Sequence, residues 1–100
     1  MTQPAAHEDA PAPVRCLIIR NPAARRQLKP AQLEAAAGIA RRAGWDVTIA
    51  VTEAPGHATE LAREAAKQGV DVIVVNGGDG TINEAVNGMA GTDAALGVLA

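Results

Sequence analysis

Apolar residues along this chain fall into two kinds of segment, one with the pattern of β-strands and one with the spacing of α-helices. Strand-like patterns occupy residues 14–20, 46–52, 70–75 and 96–100. Helical spacing of Ala, Leu and Ile occupies residues 30–43, 57–68 and about 82–89. Because strands and helices alternate, the sequence predicts an α/β fold: a doubly wound, three-layer α/β/α arrangement with a mainly parallel sheet, truncated after about four strands.

Two of the predicted strands also indicate their place in the sheet. Residues 70–75 are apolar at every position but Asp71, which is typical of a central parallel strand covered on both faces. Residues 46–52 alternate between apolar and polar side chains, which places that strand near an edge. The loops after the first three strands then lie at one edge of the sheet, where α/β proteins bind ligands. The pattern therefore predicts one shared site formed by these loops.

The most distinctive stretch is Asn76–Glu84, NGGDGTINE, which directly follows the predicted central strand and leads into a helix. Gly77, Gly78 and Gly80 can adopt positive φ and have no side chain to hold a ligand away from the backbone. The N-terminus of the following helix adds unpaired N–H groups and the positive end of the helix dipole. Phosphate is the ligand that this combination favours.

The same residues also allow a purely structural interpretation. Thr81 and Glu84 have the spacing of a capping box, and the clustered glycines could serve only as a tight turn. Asp79 favours the phosphate site over this alternative, because a carboxylate is an unusual residue for the centre of a plain turn. Beside bound phosphate it would be repulsive unless a cation or a hydroxyl proton lay between the two groups. Mg²⁺-dependent phosphoryl transfer supplies such a cation.

Composition excludes several other classes of protein. The 100 residues are 48% hydrophobic and 20% charged with a net charge of −2, as in one small globular domain or part of a larger one. Trp45 is the only aromatic residue and no basic stripe is present, so nucleic-acid binding has little support. Cys16, the only cysteine, is predicted to be a small buried hydrophobe, and no intrachain disulfide can form.

Residues 1–13 are rich in Pro and Ala and show no periodicity, which predicts a disordered tail before a folded unit of residues 14–100. No apolar run approaches the ~20 residues that a membrane span needs. The N-terminus also lacks the charged region and apolar core of a signal peptide. The sequence therefore indicates a cytoplasmic protein.

The stretch Gly77–Glu84, followed by Asn87-Gly88, resembles the signature of the diacylglycerol kinase catalytic domain family. That family includes the bacterial diacylglycerol kinases, other bacterial lipid kinases, and the sphingosine and ceramide kinases. The Gly-Gly-Asp-Gly-Thr core is shared with NAD kinases, whereas Asn83-Glu84 and Asn87-Gly88 are similar to the lipid kinases. The resemblance spans about residues 14–99 and implies the N-terminal, nucleotide-binding part of the catalytic domain.

The resemblance implies transfer of the γ-phosphate of ATP to a lipid hydroxyl, with Mg²⁺. Asp79 would be the catalytic residue, linked to Mg²⁺ directly or through its water shell. The residues that the resemblance assigns to ATP are Asn21, Pro22, Arg26, Thr52, Gly77, Gly78, Asp79, Gly80, Thr81, Asn83 and Glu84. The implied partners are ATP and a lipid. The lipid would bring the protein to the inner face of the membrane peripherally, and a homodimer is compatible with the sequence.

The loop after the first strand departs from the family pattern. Asn21-Pro22 match it, whereas Arg25 stands where the family usually has Gly. Arg26 is either a phosphate ligand, a role that suits a guanidinium, or a solvated surface residue. His57 is predicted to be a surface histidine in the first turn of its helix rather than a catalytic base.

Two parts of the family pattern are absent from the sequence: the Gly-Thr-x-Asn-Asp-like motif after the fourth strand, and the β-rich second domain with its catalytic acidic residue. The 100 residues are therefore predicted to be a fragment or a truncated product that does not by itself catalyse phosphoryl transfer efficiently. An NAD kinase-like phosphotransferase and a non-catalytic nucleotide-binding module are the alternatives.

Overall fold

The computed structural model describes residues 12–25 and 28–99. The strands in this part of the chain are β1 (Arg15–Arg20), β2 (Asp46–Val51), β3 (Val72–Asn76) and β4 (Ala95–Val98). The helices between them are α1 (Pro30–Arg42), α2 (His57–Lys67) and α3 (Asp79–Met89), and none of these is long and apolar enough to cross a membrane. Except for Ala12 and Pro13, the predicted tail lies outside the described residues, and so does Arg26.

The described strands are all parallel and lie in the order β2-β1-β3-β4. Successive side chains of a strand point to opposite faces of the sheet. On one face Cys16 packs in a cluster with Leu33 of α1. On the other face Ile19 packs in a cluster with Ala62 of α2 and Ala85 of α3. Helices therefore cover both faces, and the predicted doubly wound α/β class is confirmed.

The positions of two strands agree with their patterns. β3 lies inside the sheet between β1 and β4, and its Ile73 and Val75 are fully buried. β2 is an edge strand, with Val47 buried while Asp46 and Thr48 are exposed. Because the strands are parallel, the segments after β1, β2 and β3 leave the sheet at the same edge. This arrangement sets the position of the candidate site.

One predicted boundary at the glycine-rich stretch, the start of the following helix, is wrong, and the end of the strand before it is off by one residue. β3 continues through Asn76, which pairs with Arg20 of β1 and is fully buried. α3 begins at Asp79 rather than near Ile82, so that only residues 77–78 separate strand from helix. The apolar pattern misses this start because glycine and aspartate are poor residues for a helix interior but are tolerated in a first turn. The other boundaries agree with the prediction to within two residues.

α2 and α3 lie too close together for a side chain to fit between them at one position. Gly88 of α3 is buried, and a Cβ added there would overlap the backbone carbonyl oxygen of Thr59 and lie 2.9 Å from Cβ of Ala62. The hydroxyl of Thr59 also donates a hydrogen bond to the carbonyl oxygen of Glu84 at 2.8 Å. These contacts fix the spacing of the two helices, and with it the distance between their N-termini.

Cys16 lies in the core between the sheet and α1, where it is 5% exposed. Burial raises the pKa of the Cys16 thiol, because the charged thiolate loses its hydration. The thiol therefore stays protonated at neutral pH and is a poor nucleophile. The prediction of a small buried hydrophobe is confirmed.

Candidate functional site

A cavity of about 840 Å³ lies at the carboxyl edge of the sheet, where the segments after β1, β2 and β3 meet. Residues 21–25 follow β1 and line one side, and residues 52–55 follow β2 and line another. Residues 78–81, at the start of α3, complete it together with Glu84. The structure therefore brings together the three loops that were predicted to form one site. A cavity of this volume is large enough for a small-molecule ligand.

Most of the residues that the resemblance assigns to ATP line this cavity. They are Asn21, Pro22, Thr52, Gly78, Asp79, Gly80, Thr81 and Glu84. Gly77 is half-buried behind them, and Asn83 is exposed and does not line the cavity. Arg26 lies outside the described residues. The convergence of these residues is observed, and their contacts with a ligand stay a prediction.

Asn21 joins the segment after β1 to the start of α3. Its Nδ2 donates a hydrogen bond to Oγ1 of Thr81 at 2.8 Å, and its Oδ1 accepts one from the N–H of Ala23 at 3.0 Å. Its own N–H donates to the carbonyl oxygen of Asn76 at 3.1 Å. Thr81 is only 5% exposed, so water cannot easily replace its hydroxyl as the acceptor for Asn21. Both side chains therefore have a structural role in the site.

Backbone conformation does not account for the three glycines before and within the first turn of α3. None of Gly77, Gly78 and Gly80 has a positive φ, which contradicts the expectation for this stretch. A Cβ on Gly77 would lie 3.0 Å from Oγ1 of Thr81 and 3.3 Å from Cβ of Asn21, so it would push apart the two segments that these residues join. A Cβ on Gly78 or Gly80 would meet nothing within 4 Å. The described chain gives no steric reason for glycine at these two positions.

The N-terminus of α3 is open towards the cavity. Its N-cap is Gly78, which has an extended backbone (φ −94°, ψ −171°) and no side chain that could accept a hydrogen bond. The capping box of the structural interpretation does not form, because the N-cap is Gly78 and Thr81 lies inside the helix. Thr81 Oγ1 accepts from Asn21, and the Glu84 carboxylate accepts from the N–H of Ala58. The first N–H groups of a helix have no partner within it. In the described part of the chain they therefore remain available to an anionic group in the cavity.

The charged residues that line the cavity in the described chain are three carboxylates and one guanidinium. Asp79, Glu53 and Arg25 are exposed, and Glu84 is half-buried. An anion bound at the first turn of α3 would be repelled by Asp79 unless a cation lay between them. No cluster of three or more His, Cys, Asp or Glu side chains suited to a metal exists among residues 12–25 and 28–99. A cation here would therefore take most of its ligands from the bound molecule and from water.

His57 takes part in the turn that begins α2. The N–H of Glu53 donates a hydrogen bond to Nδ1 of His57 at 3.0 Å. His57 is half-buried and does not line the cavity. The predicted place in the first turn of the helix is confirmed, but the side chain is half-buried rather than on the surface, and it offers no support for a catalytic base.

Some residues of the site were not indicated by the sequence pattern. Ala23 and residues 53–55 line the cavity, and their only signal is that they follow strands which end at the same edge. Asn76 was expected in the loop but lies in the sheet, where its Nδ2 donates to the carbonyl oxygen of Leu99 at 3.3 Å. Its buried Oδ1 has no hydrogen-bond partner among the described residues. The only sequence signal for the buried position of Asn76 is that a polar residue directly follows an apolar run.

Replacing Thr81 by Val is expected to lower the free energy of unfolding by about 1–2 kcal/mol. The shape of the side chain is kept, but Nδ2 of Asn21 loses its acceptor. Urea unfolding measures the effect, and Thr81→Ser, which keeps the hydroxyl, is the control. A Thr81→Val protein as stable as the wild type would show that this hydrogen bond does not contribute to the stability.

The sequence is similar to those of known kinases. A model of the family described as Diacylglycerol kinase catalytic domain matches residues 15–100. The diacylglycerol kinase of Bacillus subtilis (strain 168) is 40% identical over 79 residues, which cover 79% of this chain and 26% of that protein. The diacylglycerol kinase of Staphylococcus aureus (strain Newman) is 40% identical over 76 residues, which cover 76% of this chain and 24% of that protein.

The fold is similar to that of a solved structure as well. A crystal structure of a diacylglycerol kinase from Bacillus anthracis str. Sterne superimposes with a TM-score of 0.67 and 30% sequence identity. The superposition covers 85% of this chain and 29% of that one. The chain therefore spans about a quarter of the length of the two curated relatives, and somewhat more of the solved structure.

Proposed function

Because the chain belongs to the diacylglycerol kinase catalytic domain family, we propose that it is the nucleotide-binding part of an ATP-dependent lipid kinase. The reaction would transfer the γ-phosphate of ATP to the hydroxyl of a lipid such as diacylglycerol, which would place the protein peripherally at a membrane surface. Membership of the family supports the reaction class, and the open N-terminus of α3 supports phosphate binding in the cavity. The activity would belong to the whole protein, since this chain spans only 26% of the relative from B. subtilis.

The observation that carries the proposal is the way α3 begins. Its N-cap is Gly78, without a side-chain acceptor, and both Gly78 and Gly80 face space that no described atom fills within 4 Å. A helix start selected only for stability would have Ser, Thr, Asp or Asn as N-cap. It would also have Ala rather than Gly inside its first turn. Glycine at both positions lowers stability but opens the backbone N–H groups to a ligand, and phosphate binds to such groups.

The residues around the cavity fit the phosphates of ATP together with Mg²⁺. Phosphate oxygens would accept hydrogen bonds from the backbone N–H groups of Gly78 and Gly80. Asp79 would hold Mg²⁺ directly or through water, and when bound this ion would offset the charge of the transferred phosphoryl group. Arg25, which lines the cavity, brings the guanidinium that the sequence suggested for Arg26. Thr52, which follows β2, also lines the cavity and would contact the nucleotide.

Replacing Gly80 by Ala tests this proposal. The new methyl group meets no atom of the described chain within 4 Å, and Ala is the better helix former, so the free energy of unfolding should rise by up to about 1 kcal/mol. The same methyl group would separate the N–H groups of the first turn from a phosphate. The affinity of the intact protein for Mg-ATP should therefore fall by at least about 10-fold, equivalent to about 1.4 kcal/mol. Thermal unfolding and titration calorimetry measure the two effects.

Gly38→Ala in α1 is the matched control, because Gly38 is also a helical glycine, and the nearest atom to an added Cβ is Nη1 of Arg42 at 3.6 Å. Gly38 does not line the cavity. The control should gain similar stability and bind ATP like the wild type. Wild-type ATP affinity in Gly80→Ala would contradict the proposal, since it would mean that no ligand approaches this turn of α3.

A further inference from the structure

Two helices, α2 and α3, begin beside the same cavity. Ala54 and Pro55, just before α2, line it together with the first residues of α3. Both helices have glycine as N-cap, Gly56 for α2 and Gly78 for α3, so neither N-cap has a side chain that can accept a hydrogen bond. The first N–H groups of a helix have no partner within it, and its N-terminus is the positive end of a dipole, so each N-terminus would attract an anion. In α2 the N–H of His57 donates a hydrogen bond to the carbonyl oxygen of Ala54 at 3.1 Å.

Glu84 closes only one of these two N-termini. Its Oε1 accepts a hydrogen bond from the N–H of Ala58, in the first turn of α2, at 3.2 Å. Its backbone carbonyl oxygen accepts a separate hydrogen bond from the hydroxyl of Thr59 at 2.8 Å. Glu84 is half-buried and lines the cavity. The N-terminus of α2 therefore holds a carboxylate of the chain itself, whereas no hydrogen bond from a described side chain caps α3.

We propose that Glu84 is a positioning residue, which reserves phosphate binding for α3 by occupying the N-terminus of α2. The inference rests on the proposed function and gives Glu84 an indirect role, in place of the contact with ATP that the family resemblance implies. A carboxylate and a phosphate compete for the same N–H groups and for the same end of the helix dipole. While Glu84 lies on Ala58, the N–H of Ala58 is not free for a phosphate, and the N–H of His57 is paired with the carbonyl oxygen of Ala54. The carboxylate also makes the field at this N-terminus less favourable to an anion.

The choice between the two helices matters for the reaction. Asp79 lies in the first turn of α3, so a phosphate bound there lies beside the carboxylate that is proposed to hold Mg²⁺. A phosphate bound at α2 would be displaced from that carboxylate. Phosphoryl transfer depends on such positioning, and a misplacement of about 1 Å can lower a rate by about 10²-fold.

The test is a titration of the intact protein with inorganic phosphate at constant ionic strength, followed by NMR of the backbone amides. In the wild type, phosphate should shift the amide signals of residues 78–81 and leave those of Ala58 and Thr59 unmoved. In Glu84→Ala, phosphate should shift the signals of Ala58 and Thr59 as well, because α2 has lost its carboxylate. Glu84→Gln keeps an oxygen that can accept from Ala58 and should largely restore the wild-type response.

Thr59→Val is the matched control. It removes the other side-chain hydrogen bond between α2 and α3 but keeps the Glu84 carboxylate on Ala58, so phosphate should shift residues 78–81 alone. Glu84→Met, which keeps the bulk of the side chain without an acceptor oxygen, replaces Glu84→Ala if that variant does not fold.

The inference would be overturned if phosphate left the amide signals of Ala58 and Thr59 unmoved in folded Glu84→Ala or Glu84→Met. A wild type in which residues 78–81 do not respond would instead overturn the proposed function. The two failures are distinguishable, because the inference is tested at the amides of Ala58 and Thr59 and the proposed function at those of residues 78–81.

Discussion

Asp79→Asn is expected to lower the turnover of the intact protein by about 10²-fold or more, since removal of one charge-stabilising group has effects of this size. The residue is exposed and lies in the first turn of α3, beside the N–H groups that are proposed to hold phosphate. Without its charge, Mg²⁺ is held less well and the transferred phosphoryl group is less stabilised. The fold should be nearly unaffected, with the free energy of unfolding changed by no more than about 0.5 kcal/mol.

Turnover is measured with Mg-ATP and, in separate reactions, diacylglycerol, sphingosine and NAD as acceptors, and thermal unfolding is measured alongside. Asp93→Asn is the control, because Asp93 is also exposed but does not line the cavity. We expect a lipid to be the acceptor and the control to keep wild-type turnover. Unchanged turnover in Asp79→Asn would reject the role of that carboxylate. Phosphorylation of NAD alone would favour the NAD kinase-like alternative over a lipid kinase.

The fold class could be predicted because burial in the central strands follows the apolar pattern. The apolar run of residues 72–75 in β3 reflects the place of this strand inside the sheet, where Ile73 and Val75 are fully buried. The alternation in β2 reflects an edge strand with exposed Asp46 and Thr48. Once the strands are known to be parallel, the meeting of their loops at one edge follows from topology alone. The site could therefore be located without any knowledge of side-chain contacts.

The partners of individual side chains could not be predicted, since local spacing and tertiary contact compete for the same groups. Thr81 and Glu84 have capping-box spacing, yet their hydrogen bonds go to Asn21, 60 positions away in sequence, and to Ala58, 26 positions away. The residue pattern of the nine-residue stretch 76–84 contains no information about partners so far away in sequence. The reason for Gly77 could not be predicted either. Positive φ was expected, whereas glycine is needed there because a Cβ would contact Asn21 and Thr81 too closely, and that contact exists only in the folded chain.

Gly88→Ala is expected to lower the free energy of unfolding by about 3 kcal/mol or more, at the upper end of the range for overpacked cores. The added Cβ would overlap the carbonyl oxygen of Thr59 and lie 2.9 Å from the backbone nitrogen of Arg63. Backbone atoms cannot change rotamer to make room, so α2 and α3 would have to move apart. That movement would also strain the contact of Glu84 with Ala58, which spans the same two helices at 3.2 Å.

Urea unfolding measures the loss, and Gly38→Ala again separates the effect of the contact from the effect of glycine itself. Both residues lie inside helices, where Ala is intrinsically preferred by about 1 kcal/mol, so the two variants are expected to change stability in opposite directions. The difference between them measures the cost of separating α2 from α3. A Gly88→Ala protein as stable as Gly38→Ala would show that the helices can separate at little cost. The spacing of the two N-termini beside the cavity would then not be fixed by this contact.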